Sequence, residues 1–493
     1  MFDLRNKYTF YWLLIAFVLI LLFSDILFSY FSQDDFFHFR AVMTKNFSDI
    51  PSFFISMQTE YAFYRPLSRE TFNLIMYNIF GLNPLPFHLV NFALILTNIS
   101  LLFLLVKRVI KNTAAPFLAS FIYSVSSIHS IELYYLGSVQ TLLATTLILL
   151  SVICYISFHS TKKFRFYFLT LLTFILALTS HETAIVLPGI LFFTCIFLQR
   201  EFRSILNKDQ IFQLLPFLLI GVIYLAGTSL FSGMPSQKVY QPVFAPKSIL
   251  NSLSWYTLWS FGLSEIFADF IGSKFSINPS LMKYYGQYTI FSLFSFITLL
   301  LALLFIIFKI KKKIFEYKPL LFFGISYLAA LSPFMLFPQH KSSYYLSLST
   351  AFFSAALACI ISSGWKFNRT KVAAILFLLV FTALSYQTVK LNHLTYWAAK
   401  RAPAAKHLLS EIKKAHPSPA KGTIFYIKDD PDYPFIAKEW GTSSKQAFYI
   451  LSGADAFKLI YGDSTINVYF EGIGISRDAD LTKAIQYTAK FPY

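Results

Sequence analysis

Long apolar runs alternate with short polar breaks along most of the chain. Runs long enough to span a bilayer recur near residues 10–31, 86–106, 113–128, 133–158, 164–180, 183–199, 211–230, 287–308, 319–337, 343–363 and 371–388, because about twenty apolar residues in a helix cross the hydrocarbon core. The pattern predicts a polytopic α-helical membrane protein with about 11 transmembrane helices. The first run is too long for a signal-peptide core and no small-residue cleavage site closes it, so it reads as a retained signal anchor. After Val389 the pattern changes: "KGTIFYIKDDPDYP" and "STINVYF" read as strands and "DADLTKAIQYTAK" as a terminal helix. Two regions follow, a transmembrane domain over 1–389 and a small soluble α+β domain over 390–493.

Composition agrees with the pattern and charge orients it. With 56% hydrophobic and 13% charged residues the chain is no soluble globule. Basic residues occupy alternate connections: Arg5 and Lys7 before the first helix, then Lys107, Arg108 and Lys111, Lys162, Lys163 and Arg165, Arg200, Arg203 and Lys208, Lys309 to Lys318, and Lys366, Arg369 and Lys371. Cytoplasmic loops carry that bias, so the N-terminus is expected inside and, with an odd helix count, the C-terminal domain is expected to be extracytoplasmic, on a multi-pass protein of the cell membrane. The net charge of +18 is therefore mostly a topology signal facing anionic lipid. No basic, aromatic-interleaved domain appears, and no nucleic-acid partner is expected. Cys154, Cys195 and Cys359 all lie in apolar runs, where cysteine is a small buried hydrophobe, which gives no disulfide framework or metal cluster.

The unusual polar residues gather on the predicted outer side. Asp34 and Asp35 follow the first helix, and Tyr64, Arg65, Arg69 and Glu70 lie in the first outer loop. His129 and Glu132, His181 and Glu182, and His340 and Lys341 occupy three later outer connections. Taken singly these are a solvated helix cap, hydrogen-bonded histidines and snorkelling cations. Convergence on one face points instead to a site or a path, because ionisable groups near a bilayer are costly. Asp25, inside the first run, reads as structural.

Several blocks resemble the GT-C glycosyltransferases, polytopic enzymes that move a sugar from a polyprenyl-phosphate carrier, and in particular their protein O-mannosyltransferase-like branch. "QDDFFHFR" is similar to the acidic pair of that branch's first outer loop. The stretch from "YRPLSRE" at residue 64 to residue 105 resembles its Tyr-Arg-Pro-Leu, Gly-x-x-Pro and Phe-His-Leu-Val-Asn run. "IHSIELYYLGSVQTLL", "SHETAIVLPGILFF" and "HKSSYYLSLS" resemble its later His-x-x-Glu, Ser-Lys-Glu and Tyr-Leu segments. The family's lysine before the glutamate is His181 here, and its tetratricopeptide repeats are replaced by the α+β tail.

The resemblance implies a hexosyl- or mannosyl-type transferase of the cell envelope, of a kind active in protein glycosylation. An acceptor hydroxyl would displace polyprenyl phosphate from the anomeric carbon in one inverting step, through an oxocarbenium-like transition state. Such a step needs a carboxylate base opposite the leaving phosphate and donors or cations to meet the growing charge. Asp34 is the expected base, with Asp35 orienting it or the acceptor. Arg65, His181 and Lys341 are the candidates for the donor phosphate, and Tyr64, His129, Glu132, Glu182 and His340 for substrate contacts. The partners implied are the lipid-linked sugar, the bilayer, and a glycan, lipid or protein acceptor. The branch implies no required cofactor, although the aspartates with Glu132 or Glu182 would offer the oxygen ligands that Mg²⁺ or Mn²⁺ prefers. Two other readings stand beside it. A transporter or flippase of lipid-linked sugars would put binding groups at the midplane of repeated halves, and no repeat is apparent. An O-antigen-ligase-like transferase would use a large late loop; residues 231–286 lack an Arg and His cluster, and Glu265 and Asp269 read as part of a short interfacial helix.

Overall fold

The apolar runs become helices one for one. In a computed structural model that describes residues 4–56, 63–199, 208–231, 238–272, 276–310, 317–365, 367–433, 441–474 and 481–491, seven helices are long and apolar enough to cross a membrane: Thr9–Phe28, Pro84–Val109, Leu136–Thr161, Lys208–Leu230, Pro279–Lys309, Ser343–Gly364 and Asn368–Thr395. Four shorter apolar helices, Ala115–Ser124, Phe164–Leu178, Glu182–Leu198 and Tyr317–Leu331, occupy the remaining predicted runs. The chain is a polytopic helical membrane protein. Of the basic residues used to orient it, Arg200, Arg203, Lys311, Lys312, Lys313 and Lys366 lie outside the described residues.

Local chemistry sets the helix ends. Pro84 and Pro279 start their helices where no backbone N–H is needed, and Asn83 and Asn278 accept from the amides of Leu85 and Ser280 at 3.2 and 3.0 Å. The Ser347–Gly364 helix forms the centre, buried along nearly its whole length, and its Ser and Ala positions let neighbours approach closely. At Gly364 a Cβ would stand 2.9 Å from Ile306 Cγ2, so that crossing requires the bare backbone.

The last span runs on to Thr395, past the expected limit near 389, and the chain turns into a second helix, Trp397–Ala415. Beyond it lie β1 (Ile424–Lys428), β2 (Asn467–Phe470) and β3 (Ile485–Thr488), a parallel sheet in the order β2-β1-β3. Phe425 sits opposite Val468 on one side and Ile485 on the other. The terminal helix expected over 478–490 is therefore corrected: residues 478–480 lie outside the described residues, and Ile485 to Thr488 pair with β1 as its second neighbour. An isolated apolar alternation of four residues is too short to tell strand from helix, and the open edge of β1 decides it.

The tail shares a hydrophobic core with the connection after the first span. Phe31, Phe36, Phe39 and Phe87 pack in one cluster with Leu408, Leu409, Phe425 and Phe457. Phe39 lies 4.9 Å from Phe31 and 5.1 Å from Phe87, ring centroid to ring centroid, which pins the short Asp34–Val42 helix between the membrane part and the tail.

Candidate functional site

The acidic pair opens the Asp34–Val42 helix, where a carboxylate is favoured by the helix dipole. A plain solvated cap is not what results. Asp35 is 1% exposed; its Oδ2 accepts from the Ser32 amide at 2.9 Å, and its Oδ1 is buried with no partner among the described residues. Burial raises this carboxyl to about 8, with a further push from Asp34 and against the lowering effect of the Ser32 and Gly137 amides, so Asp35 holds a proton at neutral pH. Asp34 is only partly buried and its carboxyl is also raised by burial, but Gln33, the Tyr135 hydroxyl and the Arg401 charge all favour its ionised form. Tyr135 Oη donates to Asp34 Oδ2 at 3.4 Å.

The residue before the pair is strained. Gln33 has φ 46 and ψ −107, a conformation that side-chain-bearing residues rarely adopt, and such strain gathers at functional sites. The tail holds it there: Gln33 N donates to Ile450 O at 2.8 Å, and Arg401, on the Trp397–Ala415 helix, donates to Gln33 Oε1.

Facing this edge, the "YRPLSRE" segment forms a π-helical turn over Pro66–Thr71, a geometry frequent at functional sites. It is clipped to the next connection by Leu67 N to Thr179 O at 3.0 Å and Ser68 Oγ to Ser180 O at 2.5 Å. That clip sets Arg65 against Glu182 as a two-pronged pair, Nε to Oε2 at 2.8 Å and Nη2 to Oε1 at 2.6 Å, and Arg65 Nη1 also donates to Gln140 Oε1. The guanidinium lies 4.6 Å from the Phe63 ring centroid. Three of its five N–H donors have these partners among the described residues. Tyr64, Arg65, Pro66, Arg69 and Glu70 line a small recess, closed by Tyr64 Oη donating to Phe54 O at 2.8 Å.

Aromatic side chains join the halves. Tyr135 has centroid distances of 5.5 Å to Tyr344 and 5.4 Å to Trp397. Tyr344 stands 4.0 Å from Tyr345, and Tyr240 covers the His340 ring at 4.5 Å. Tyr135 and Tyr240 are each within electrostatic reach of both Asp34 and Arg65.

The remaining candidates sort by their partners. His181 Nδ1 accepts from the Thr183 amide at 3.2 Å, and burial lowers the imidazole to about 3, so it is a neutral group whose buried Nε2 stands 3.7 Å from Glu182 Oε1 and has no hydrogen-bond partner among the described residues. It offers a donor, not the cation expected at that position. Lys341 Nζ donates to Asn251 Oδ1 at 2.9 Å. His129 and Glu132 are both fully buried, with His129 Nδ1 2.7 Å from Glu132 Oε2 and Nε2 2.7 Å from Tyr123 O, contacts that brace the fold, while Glu132 Oε1 has no hydrogen-bond partner among the described residues. The carboxylates that could hold a divalent cation are engaged elsewhere in part. Glu182 is committed to Arg65 and Glu132 to His129, and among the described residues no three His, Cys, Asp or Glu side chains converge on a metal position.

Sequence reasoning missed Gln33, Tyr135, Gln140, Tyr240 and Arg401. It also missed His38, one turn beyond Asp34, which burial and the charges of Arg69 and Arg65 keep neutral, its imidazole lowered to about 3. Tyr135, Tyr344 and Tyr345 stood inside the quoted blocks as ordinary aromatics. Glu265 precedes the short Phe267–Phe270 helix and is not a bare interfacial acid: its Oε2 accepts from Ser343 N at 2.8 Å and from Ser343 Oγ at 2.6 Å.

No family model and no curated protein matches the chain. Among solved structures, the chain is similar to the oligosaccharyltransferase of Archaeoglobus fulgidus. Its crystal structure with Zn and sulfate matches with a TM-score of 0.45 and 12% identity, over 92% of this chain and 61% of that one. Its apo form matches with 0.45 and 13%, over 93% and 64%. The archaeal oligosaccharyltransferase AglB from the same organism, in complex with an inhibitory peptide and a dolichol-phosphate, matches with 0.43 and 11%, over 94% and 65%. The chain thus spans less than two thirds of the length of each of these proteins.

Proposed function

We propose that this protein is a membrane glycosyltransferase that moves a sugar from a polyprenyl-phosphate donor to an acceptor hydroxyl, with inversion at the anomeric carbon. The observation that carries the reading is a pair of chemically different groups on either side of Tyr135, which bonds Asp34 and is within electrostatic reach of Arg65. On one side stands Asp34, held by Tyr135 and Arg401 beside a protonated Asp35; on the other stands Arg65, fixed by Glu182 and Gln140. Asp34 takes the acceptor proton as the new C–O bond forms, because an alcohol is a poor nucleophile at neutral pH. Arg65 and the His181 Nε2–H meet the charge on the departing phosphate. Glu182 acts on Arg65 and holds its plane. The aromatic wall of Tyr135, Tyr344 and Trp397 suits the apolar faces of a sugar ring. The reaction face is extracytoplasmic by the distribution of basic residues.

The test is a panel of radiolabelled polyprenyl-phosphate sugars offered to the purified protein with a mixed acceptor extract. Acceptor-dependent release of polyprenyl phosphate supports the reading and names the donor. Movement of a lipid-linked sugar across vesicles without any release would replace it with transport.

A further inference from the structure

A second recess shares no lining residue with the one beside Arg65. It has a volume of about 500 Å³ and is walled by Tyr30, Tyr77 and Leu82 on the membrane side and by Lys406, Lys413 and Ile460 on the tail side. Its level is fixed by two separate chain segments. Tyr30 stands just past the end of the Thr9–Phe28 span, and Leu82 just before the start of the Pro84–Val109 span. The surface beside it is apolar, with Phe28 75%, Ile79 61% and Phe80 41% exposed. Bilayer hydrocarbon therefore reaches the rim of the recess while its upper wall stands in the headgroup layer.

Charge then selects the occupant. Lys406 and Lys413 are two helical turns apart on one face of the Trp397–Ala415 helix, and neither is in an ion pair among the described residues. Lys413 Nζ makes one long contact, 3.4 Å to Ile460 O. No carboxylate lines the recess. Two uncompensated ammonium groups above an apolar floor, framed by two tyrosines at interface depth, complement a phosphodiester with its acyl chains below it. We infer that this recess binds the headgroup of an anionic phospholipid from the leaflet on the side of the tail, and so docks the tail to the membrane surface. This site is separate from the sugar-transfer reading and stands without it.

The test uses the full-length protein in phosphatidylcholine nanodiscs, titrated with short-chain phosphatidylglycerol and read by native mass spectrometry. Lys406→Glu/Lys413→Glu is expected to weaken phosphatidylglycerol binding by more than about thirtyfold, the product of losing two lysines at a lipid surface with the added repulsion of two carboxylates. Lys414→Glu/Lys421→Glu, on exposed lysines outside the recess, is expected to bind as the wild type does. Ser410→Trp, which fills the recess at constant charge, is expected to weaken binding as well, and keeps the test decisive if the charge reversal impairs folding. Phosphatidylglycerol bound equally by wild type and Ser410→Trp, or displaced by millimolar inorganic phosphate alone, would overturn the inference.

Discussion

Gly137→Ala is a one-methyl test of how Tyr135 is held against Asp34. A Cβ at Gly137 would stand 2.6 Å from Tyr135 Cζ, 2.7 Å from its Oη and 2.8 Å from Cε2. Non-bonded carbons rest about 3.5–4.0 Å apart, so the ring must retreat by roughly 1 Å. Gly137 is absent from the positive-φ glycines, so alanine suits the backbone and the ring alone takes the strain. The Tyr135 hydroxyl is already 3.4 Å from Asp34 Oδ2, and a shift of that size takes the contact beyond hydrogen bonding. A misplacement of that order at a reacting group lowers turnover by as much as about a hundredfold. Donor-release rates would be compared for wild type, Gly137→Ala, Tyr135→Phe and the double variant at matched expression. Because both changes remove the same contact, the double variant should be no slower than Tyr135→Phe. Wild-type turnover in Gly137→Ala, or fully additive losses, would refute the role given to Tyr135.

Three further outcomes follow from the same geometry. Asp34 must be ionised to accept a proton, and the Tyr135 bond lowers its pKa, so Tyr135→Phe should move the acid limb of the pH–rate profile to higher pH; an unmoved limb would count against Asp34 as the base. Asp35 is raised to about 8 in the folded protein, so between the ordinary carboxylate range and pH 8 the native state binds the extra proton and stability falls as pH rises. Asp35→Asn should therefore raise the melting temperature at pH 8, with the gain fading towards pH 4, and a pH-independent difference would contradict the assignment. Arg65→Lys keeps a charge but loses the two-pronged bond to Glu182, and should weaken donor binding more than acceptor binding in competition assays, where the reverse order would move the phosphate elsewhere.

The membrane part of the fold was legible because each span carries its own signal, a run of apolar residues set by bilayer thickness. The acidic pair and Arg65 were legible because charge beside such runs stands out. Glu182 was seen, but its duty was not: only the clip from Leu67 and Ser68 to the 179–180 backbone brings it to Arg65, 117 residues away. His129 and Glu132 carried the same signal, but that they bond each other and Tyr123 inside the fold is visible only in three dimensions. Arg401 was hidden for another reason. It lies in a tail that reads as a separate domain, and its contact with Gln33 exists because Phe31, Phe36 and Phe39 share a core with that tail. The strained Gln33 leaves no trace in the sequence, since a glutamine at φ 46 is held there by contacts and not by its own preference.

The central claim is that Asp34 takes the proton of an acceptor hydroxyl as a sugar leaves its lipid phosphate. Acceptor-dependent release of polyprenyl phosphate by purified Asp34→Asn, set against wild type at equal donor binding, tests it most directly. The account predicts a fall of about a hundredfold to ten-thousandfold, the usual contribution of a general base, with donor affinity retained. Release within a few-fold of the wild type would contradict it.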